Sequence, residues 1–210
     1  MKNLALFIGL ISFSFLAQAQ QNRKIQLVIL FDASNSMDGL LDQAKSKIWA
    51  IVNDAGGLRY QGTTPVLEIA MYDYGNSGIS SVDHYVRMQT NFTTDLDLIS
   101  AKLFGIRTNG GEEFCGAAIQ KSLQQLNWSN DPKDLKLIYI AGNEPFNQGP
   151  ISYKEVCTEI LKKDVIVNTI YCGDYQQGIN EFWKDGASCL NGAYFNINSN
   201  DKITSIATPY

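Results

Sequence analysis

One carboxylate and two hydroxyls alternate in the run Asp32-Ala33-Ser34-Asn35-Ser36. In an extended turn, that alternation can aim three oxygen atoms at one point. Hard divalent cations take oxygen ligands, and magnesium commonly keeps waters beside only one or two carboxylates. The same residue types also close turns and cap helices, so a plain turn leading into a helix is the competing explanation. What precedes the run favours the ion. Ile25-Gln26-Leu27-Val28-Ile29-Leu30-Phe31 is almost continuously apolar, as in a strand buried on both faces. Loops at the carboxyl ends of such strands are where α/β sheets place their ligands.

The elements that must position this loop are legible along the chain. Leu40, Leu41, Ala44, Ile48, Ile51, Val52 and Ala55 fall on one helical face, which Gly56-Gly57 ends. Val66 to Met71 and Tyr85 to Met88 read as strands joined by the turn-rich Gly75-Asn76-Ser77-Gly78. Thr94 to Leu103 reads as a helix capped by Thr94 or Asp95. Cys115, Ala118, Ile119, Leu123 and Leu126 mark a further helix. Leu137 to Ala141 is a second apolar strand, Tyr153 to Leu161 an amphipathic helix, and Val165 to Tyr171 a third buried strand. A helix around Asn180 to Ala187 and a strand near Tyr194 to Ile197 follow. Strands alternating with helices predict a three-layer α/β/α sandwich around a central, mostly parallel sheet. The loops after Phe31, Ala141 and Tyr171 are then the places for chemistry.

The chain has 210 residues and a net charge of −4 with both signs scattered, which offers no basic stripe for nucleic acid. Met1-Lys2-Asn3, the apolar run Leu4 to Leu16 and Ala17-Gln18-Ala19 form the pattern of a secretory leader cleaved after Ala19. Residues 20–210 then make one domain with no membrane span, exported to a periplasmic or extracellular setting. A closing helix is expected near Lys202, with little sequence left to complete it. Cys115, Cys157, Cys172 and Cys189 allow three pairings, and export permits disulfides. A bridge to Cys172 would pin a loop at the binding end; four reduced thiols are the alternative. The single histidine, His84, gives Ser-His-Asp and Cys-His hydrolase schemes little to work with.

A buried strand, then Asp32-x-Ser34-x-Ser36, then an amphipathic helix resembles the opening of a von Willebrand factor A domain, and the resemblance extends over essentially the whole chain after the leader. It implies a metal-ion-dependent adhesion site completed by a Thr from a second loop and an Asp from a third. One coordination position is left for a partner's carboxylate or for water. The second loop is similar to Asn109-Gly110-Gly111-Glu112-Glu113-Phe114-Cys115-Gly116-Ala117-Ala118. Counting back from Gly116 puts Glu113 at the ligating Thr; counting forward from Gly110-Gly111 picks Glu112. In the third loop, Ala141-Gly142-Asn143-Glu144-Pro145, Asn143 replaces the Asp and Glu144 the following Gly. The resemblance thus implies a variant site of Asp32, Ser34, Ser36, Glu113 and Asn143, with one carboxylate moved to another loop. Magnesium is the expected ion, with calcium and manganese as alternatives. A scaffold that keeps a dead site is the competing reading.

Around that site, Asp73 is read as a turn cap or as a residue behind the ligands. Glu144, Phe114 and Phe146 are candidates for the rim that meets a partner, the two phenylalanines equally for loop packing. The family role implied is non-enzymatic: an exported interaction or adhesion module that binds a protein, through an acidic side chain that completes the metal shell. Two alternatives stand beside it, a metal-assisted hydrolase with Glu113 or Glu144 as base and a structural subunit of an envelope or secretion assembly.

Overall fold

The computed structural model describes residues 23–198. The leader expected at residues 1–19 and the helix expected near Lys202 lie outside the described residues.

Strand β1 (Lys24–Asp32) is buried from Ile25 to Asp32 because it lies mid-sheet with helices over both faces. The other strands are β2 (Val66–Tyr74), β3 (Val86–Thr93), β4 (Leu135–Gly142), β5 (Ile166–Cys172) and β6 (Tyr194–Ile197). Their order is β3-β2-β1-β4-β5-β6. Every neighbouring pair is parallel except β2 and β3. From β1 the chain builds outward through β2 to β3, then returns to place β4 on the other side of β1. This reversal opens a crevice at the carboxyl ends of β1 and β4.

On one face lie α1 (Leu41–Gly57) and α2 (Leu96–Gly105). Ala44, Ile48, Trp49, Val52 and Ala55 of α1 recur at helical spacing and pack with Ile99 and Leu103 against Leu27, Ile29, Phe31, Ile69 and Met71. The opposite face carries α3 (Cys115–Gln125), α4 (Tyr153–Lys163) and α6 (Trp183–Cys189), packed on Val28, Leu30, Tyr72, Ile138 and Val167. The short α5 (Tyr175–Asn180) precedes α6. The predicted three-layer sandwich is therefore what the chain forms. Asp95 proves to be the cap of α2, accepting from the Leu98 N–H at 3.0 Å.

Several elements differ from their sequence-based outlines. The second strand runs on to Tyr74, because β3 pairs with it as far as Val86. Asp73 is thus a strand residue and neither a turn cap nor part of the site. It lies on the α1/α2 face, opposite to Asp32, and takes two bonds from Arg87 and one from Gln89 across the strand pair. The helix expected from Asn180 to Ala187 is two helices, broken where Phe182 takes a left-handed φ of 68°. Cys157 and Cys189 form a disulfide joining α4 to α6. Cys115 and Cys172 are free and buried, so the bridge lies away from Cys172.

Candidate metal centre

The first loop leaves β1 at Asp32, whose side chain is fully buried. The Ser34 N–H donates to Asp32 Oδ1 at 2.8 Å, folding the chain into a tight turn. Ser34 Oγ and Ser36 Oγ share a hydrogen bond of 2.8 Å. A short 3₁₀ turn, Asn35–Met37, follows, and neither it nor α1 takes a side-chain cap from Ser34, Ser36 or Asp32. The hydroxyls are therefore not spent on helix capping, the use that competed with an ion in the sequence.

The second loop, residues 106–114, follows α2 and returns to the same crevice. Its start is anchored by the buried Lys45, whose ammonium donates to the Ile106 carbonyl at 2.9 Å and reaches the Phe104 carbonyl at 3.4 Å. A cation there satisfies carbonyls left open at the end of α2. The Asn109 N–H then donates to the Ala33 carbonyl at 3.0 Å, and the Asn109 carbonyl accepts from Ser77 N–H at 3.0 Å. Gly111, at φ 136°, lies directly on the Gly75 carbonyl: a β-carbon there would stand 1.4 Å from that oxygen. Bare backbone at this contact seats the loop so that Glu113, not Glu112, turns inward. Glu113 is buried, its side chain beside Ser34 where both approach Gly75, while Glu112 is exposed.

The third loop leaves β4 at Gly142. Ser36 Oγ donates to Asn143 Oδ1 at 2.8 Å, and Asn143 Nδ2 donates back to the Ser36 carbonyl at 3.0 Å. Asp32, Ser34, Ser36 and Asn143 are thus linked by hydrogen bonds, and Glu113 lies against them beside Gly75. A β-carbon on Gly75 would meet Asp32 Oδ1 at 2.9 Å and Glu113 Cγ at 3.0 Å, and one on Gly142 would meet Asp32 Oδ2 at 2.9 Å. The two carboxylates converge on glycines that leave them room.

One atom of this cluster has no hydrogen-bond partner: Asp32 Oδ2 is buried and unpaired. Burial pushes the Asp32 carboxyl up to about 7, offset in part by the bond from the Ser34 N–H and raised further by the neighbouring charge of Glu113. Burial raises the Glu113 carboxyl as well, with Glu144 and Glu112 adding to the rise. Such a pair of carboxylates is costly to ionise without a counter-charge. Among the described residues no three His, Cys, Asp or Glu side chains gather into a metal-binding group, so hydroxyl, amide and water oxygens would have to complete any shell. The donors fit a hard divalent cation. The thiols of Cys115 and Cys172 are held protonated by burial, Cys115 beside the Tyr74 hydroxyl at 3.7 Å.

The rim residues behave differently from one another. Phe146 is fully buried, stacked edge-on against Tyr153 and Trp183 at 5.2 and 5.0 Å. It packs the core and offers nothing to a partner. Phe114 is half-buried between the Tyr85 ring, 5.9 Å away, and the backbone of Gly149. Glu144 is half-buried beside Glu113, and its carbonyl accepts from Trp183 Nε1 at 2.8 Å. The loop after β5 brings no polar ligand to the cluster. Tyr74 is a contributor the sequence did not mark: its hydroxyl donates to the Ala141 carbonyl at 3.0 Å beneath Asp32. Its place on a strand ending at the crevice was the available signal.

A central, mostly parallel sheet defines an α/β domain, and this cluster lies at the carboxyl edge of its strands. No family model matches the sequence, and no curated protein matches it. Solved structures do. The chain is similar to BatB from Bacteroides thetaiotaomicron (15% identity, 83% of this chain, 90% of that one, TM-score 0.62). It is equally similar to the von Willebrand factor A domain of SpRpn10 (14% identity, 85% and 90%, TM-score 0.62). A third match is proximal thread matrix protein 1 of the mussel byssus with a zinc-occupied MIDAS motif (14% identity, 85% and 43%, TM-score 0.58). At these identities the likeness establishes the fold, and the fold is that of a von Willebrand factor A domain.

Proposed function

We propose that this chain is an exported interaction module that holds a divalent cation, magnesium foremost, at the carboxyl edge of its sheet and binds a partner protein there. The reading rests on the buried, unpaired Asp32 Oδ2 amid a cluster made of oxygen donors. Asp32, Ser34, Ser36 and Glu113 would hold the ion. Asn143 would add its amide oxygen or fix Ser36, to which it is already doubly bonded. The ion would supply the positive charge that two buried carboxylates lack. The likeness to a mussel protein whose MIDAS motif takes zinc supports cation binding in this fold.

Export is supported by the leader-like N-terminal sequence and by the Cys157–Cys189 bridge, since disulfides persist in oxidising compartments. Among the described residues no helix is long and apolar enough to cross a membrane. The likeness to an aerotolerance-related membrane protein from Bacteroides fragilis supports an envelope setting. The role proposed is binding, not turnover.

Calorimetric titration of chelator-treated protein with magnesium, calcium and manganese tests the reading, with Asp32→Ala alongside. Saturable binding to the parent and none to the variant is the expected result. Identical traces for the two proteins would sink the proposal.

A further inference from the structure

The loops that wall the crevice are unequal in charge. Residues 33–40, 75–80, 106–114 and 143–152 carry Asp38, Glu112, Glu113 and Glu144 against one basic residue, Arg107. Arg107 turns its guanidinium toward the end of α2, donating to the carbonyls of Phe104 and Ile106. Glu112 is exposed and Glu144 half-buried, both near enough to act on Glu113. Asp38, also exposed, bonds to Thr108 on the facing loop.

The consequence concerns whatever approaches from outside. A dication held by Asp32 and Glu113 would be neutralised by those two ligands alone. Asp38, Glu112 and Glu144 would then remain around the mouth with only Arg107 to set against them. Complementary potentials steer association and reject like charge. A carboxylate arriving at this mouth meets a negative field. An amide or hydroxyl oxygen flanked by Lys or Arg meets an attractive one.

We propose that the partner of this site is a protein presenting a basic surface, and that the group it offers to the ion is an uncharged oxygen, not a carboxylate. This rests on the ion-binding reading above, whose support is the unpaired Asp32 Oδ2 beneath the mouth. It departs from what the family resemblance implies. The departure follows from the carboxylate at Glu113, the acid at Glu112 beside it, and Glu144 where the family has glycine.

The test uses the isotope-labelled chain saturated with magnesium, titrated with trilysine amide and with triglutamate. The amide signals of Ser36, Glu112, Asn143 and Glu144 are followed. Trilysine should shift them and bind at least about tenfold more tightly at low salt, with the gap closing as salt rises. The double variant Glu112→Gln/Glu144→Gln should narrow the gap by about fivefold, since neither side chain builds the core. Tighter binding of triglutamate, equal binding, or no response to either peptide overturns the proposal. Calorimetry with magnesium alone separates the two levels. Absence of heat defeats the ion reading, and the peptides still decide the charge of the partner.

Discussion

Ser36 and Asn143 hold each other in both directions, hydroxyl to amide oxygen at 2.8 Å and amide nitrogen to backbone carbonyl at 3.0 Å. The loops after β1 and β4 are locked together by this pair. Asn143 stands where the family resemblance implies an ion-ligating Asp. Changing Asn143→Asp removes the donor to the Ser36 carbonyl and adds a third carboxylate to the cluster. Without metal the variant should lose about 1–2 kcal/mol, the scale of one lost bond plus repulsion from Asp32. Its magnesium affinity should rise by about tenfold, the size of effect a group at or just behind the shell exerts on metal binding. Thermal unfolding in chelator, paired with calorimetry, measures both. An unchanged affinity would mean that Asn143 stands apart from the ion.

Asp32 makes the metal-free protein sensitive to pH in an unusual direction. Its folded-state value of about 7 lies above the ordinary 3.8. Between those values the folded chain keeps a proton that the unfolded chain has released. Its contribution is therefore complete below about pH 4 and is lost as pH rises toward 7. The span corresponds to about 4 kcal/mol as an upper figure. Urea unfolding of chelated protein from pH 4 to pH 8 should show this fall. Asp32→Asn should flatten it, and magnesium should reduce it by favouring the ionised form. Parallel curves for parent and variant would show that Asp32 does not titrate in this range.

Glycine at 111 is a matter of space as well as dihedral angle. Gly111→Ala would drive a β-carbon into the Gly75 carbonyl from a backbone conformation that L residues rarely adopt. The loop would have to lift, taking Glu113 with it. A loss of more than about 3 kcal/mol is expected, together with weakened magnesium binding. Gly39→Ala is the control, since a β-carbon there meets nothing within 4 Å. Equal melting temperatures for the two variants would contradict the contact.

The sheet was legible because β1, β4 and β5 are buried on both faces and therefore read as apolar runs. Asp32, Ser34 and Ser36 were legible because their alternation follows directly on such a run. Glu113 came from the family resemblance, and the resemblance left Glu112 in contention. The choice is made by the contact of Gly111 with Gly75, a relation between residues 36 positions apart. Asp73 was misplaced for a similar reason. Its partner Arg87 lies across an antiparallel pair, so the polar residue that seemed to end the strand is satisfied inside it. Phe146 sits among loop-forming residues, Pro145 and Asn147, and is buried by Tyr153, Trp183 and the bare backbone of Gly186. The break at Phe182 carries no glycine to announce it.

The Cys157–Cys189 bridge closes a loop with a sequence separation of 32. Cross-linking a loop of that size restricts the unfolded chain by about 3–4 kcal/mol. Cys157→Ser, Cys189→Ser and reduction of the parent should lower stability by similar amounts in guanidinium unfolding. Cys115 and Cys172 are buried with thiols raised well above their ordinary value. They should therefore resist alkylation in the folded protein and react only on unfolding. Rapid labelling of either under native conditions would show that the crevice opens.

The backbone bonds from Asn109 to Ala33 and from Ser77 to Asn109 tie three separate stretches of chain into a single rim. Ordering those stretches is charged to folding. Nothing that enters the crevice has to assemble it, so capture loses little conformational entropy. The pace of capture should then be set by diffusion and by the shedding of water, with no slow closing step.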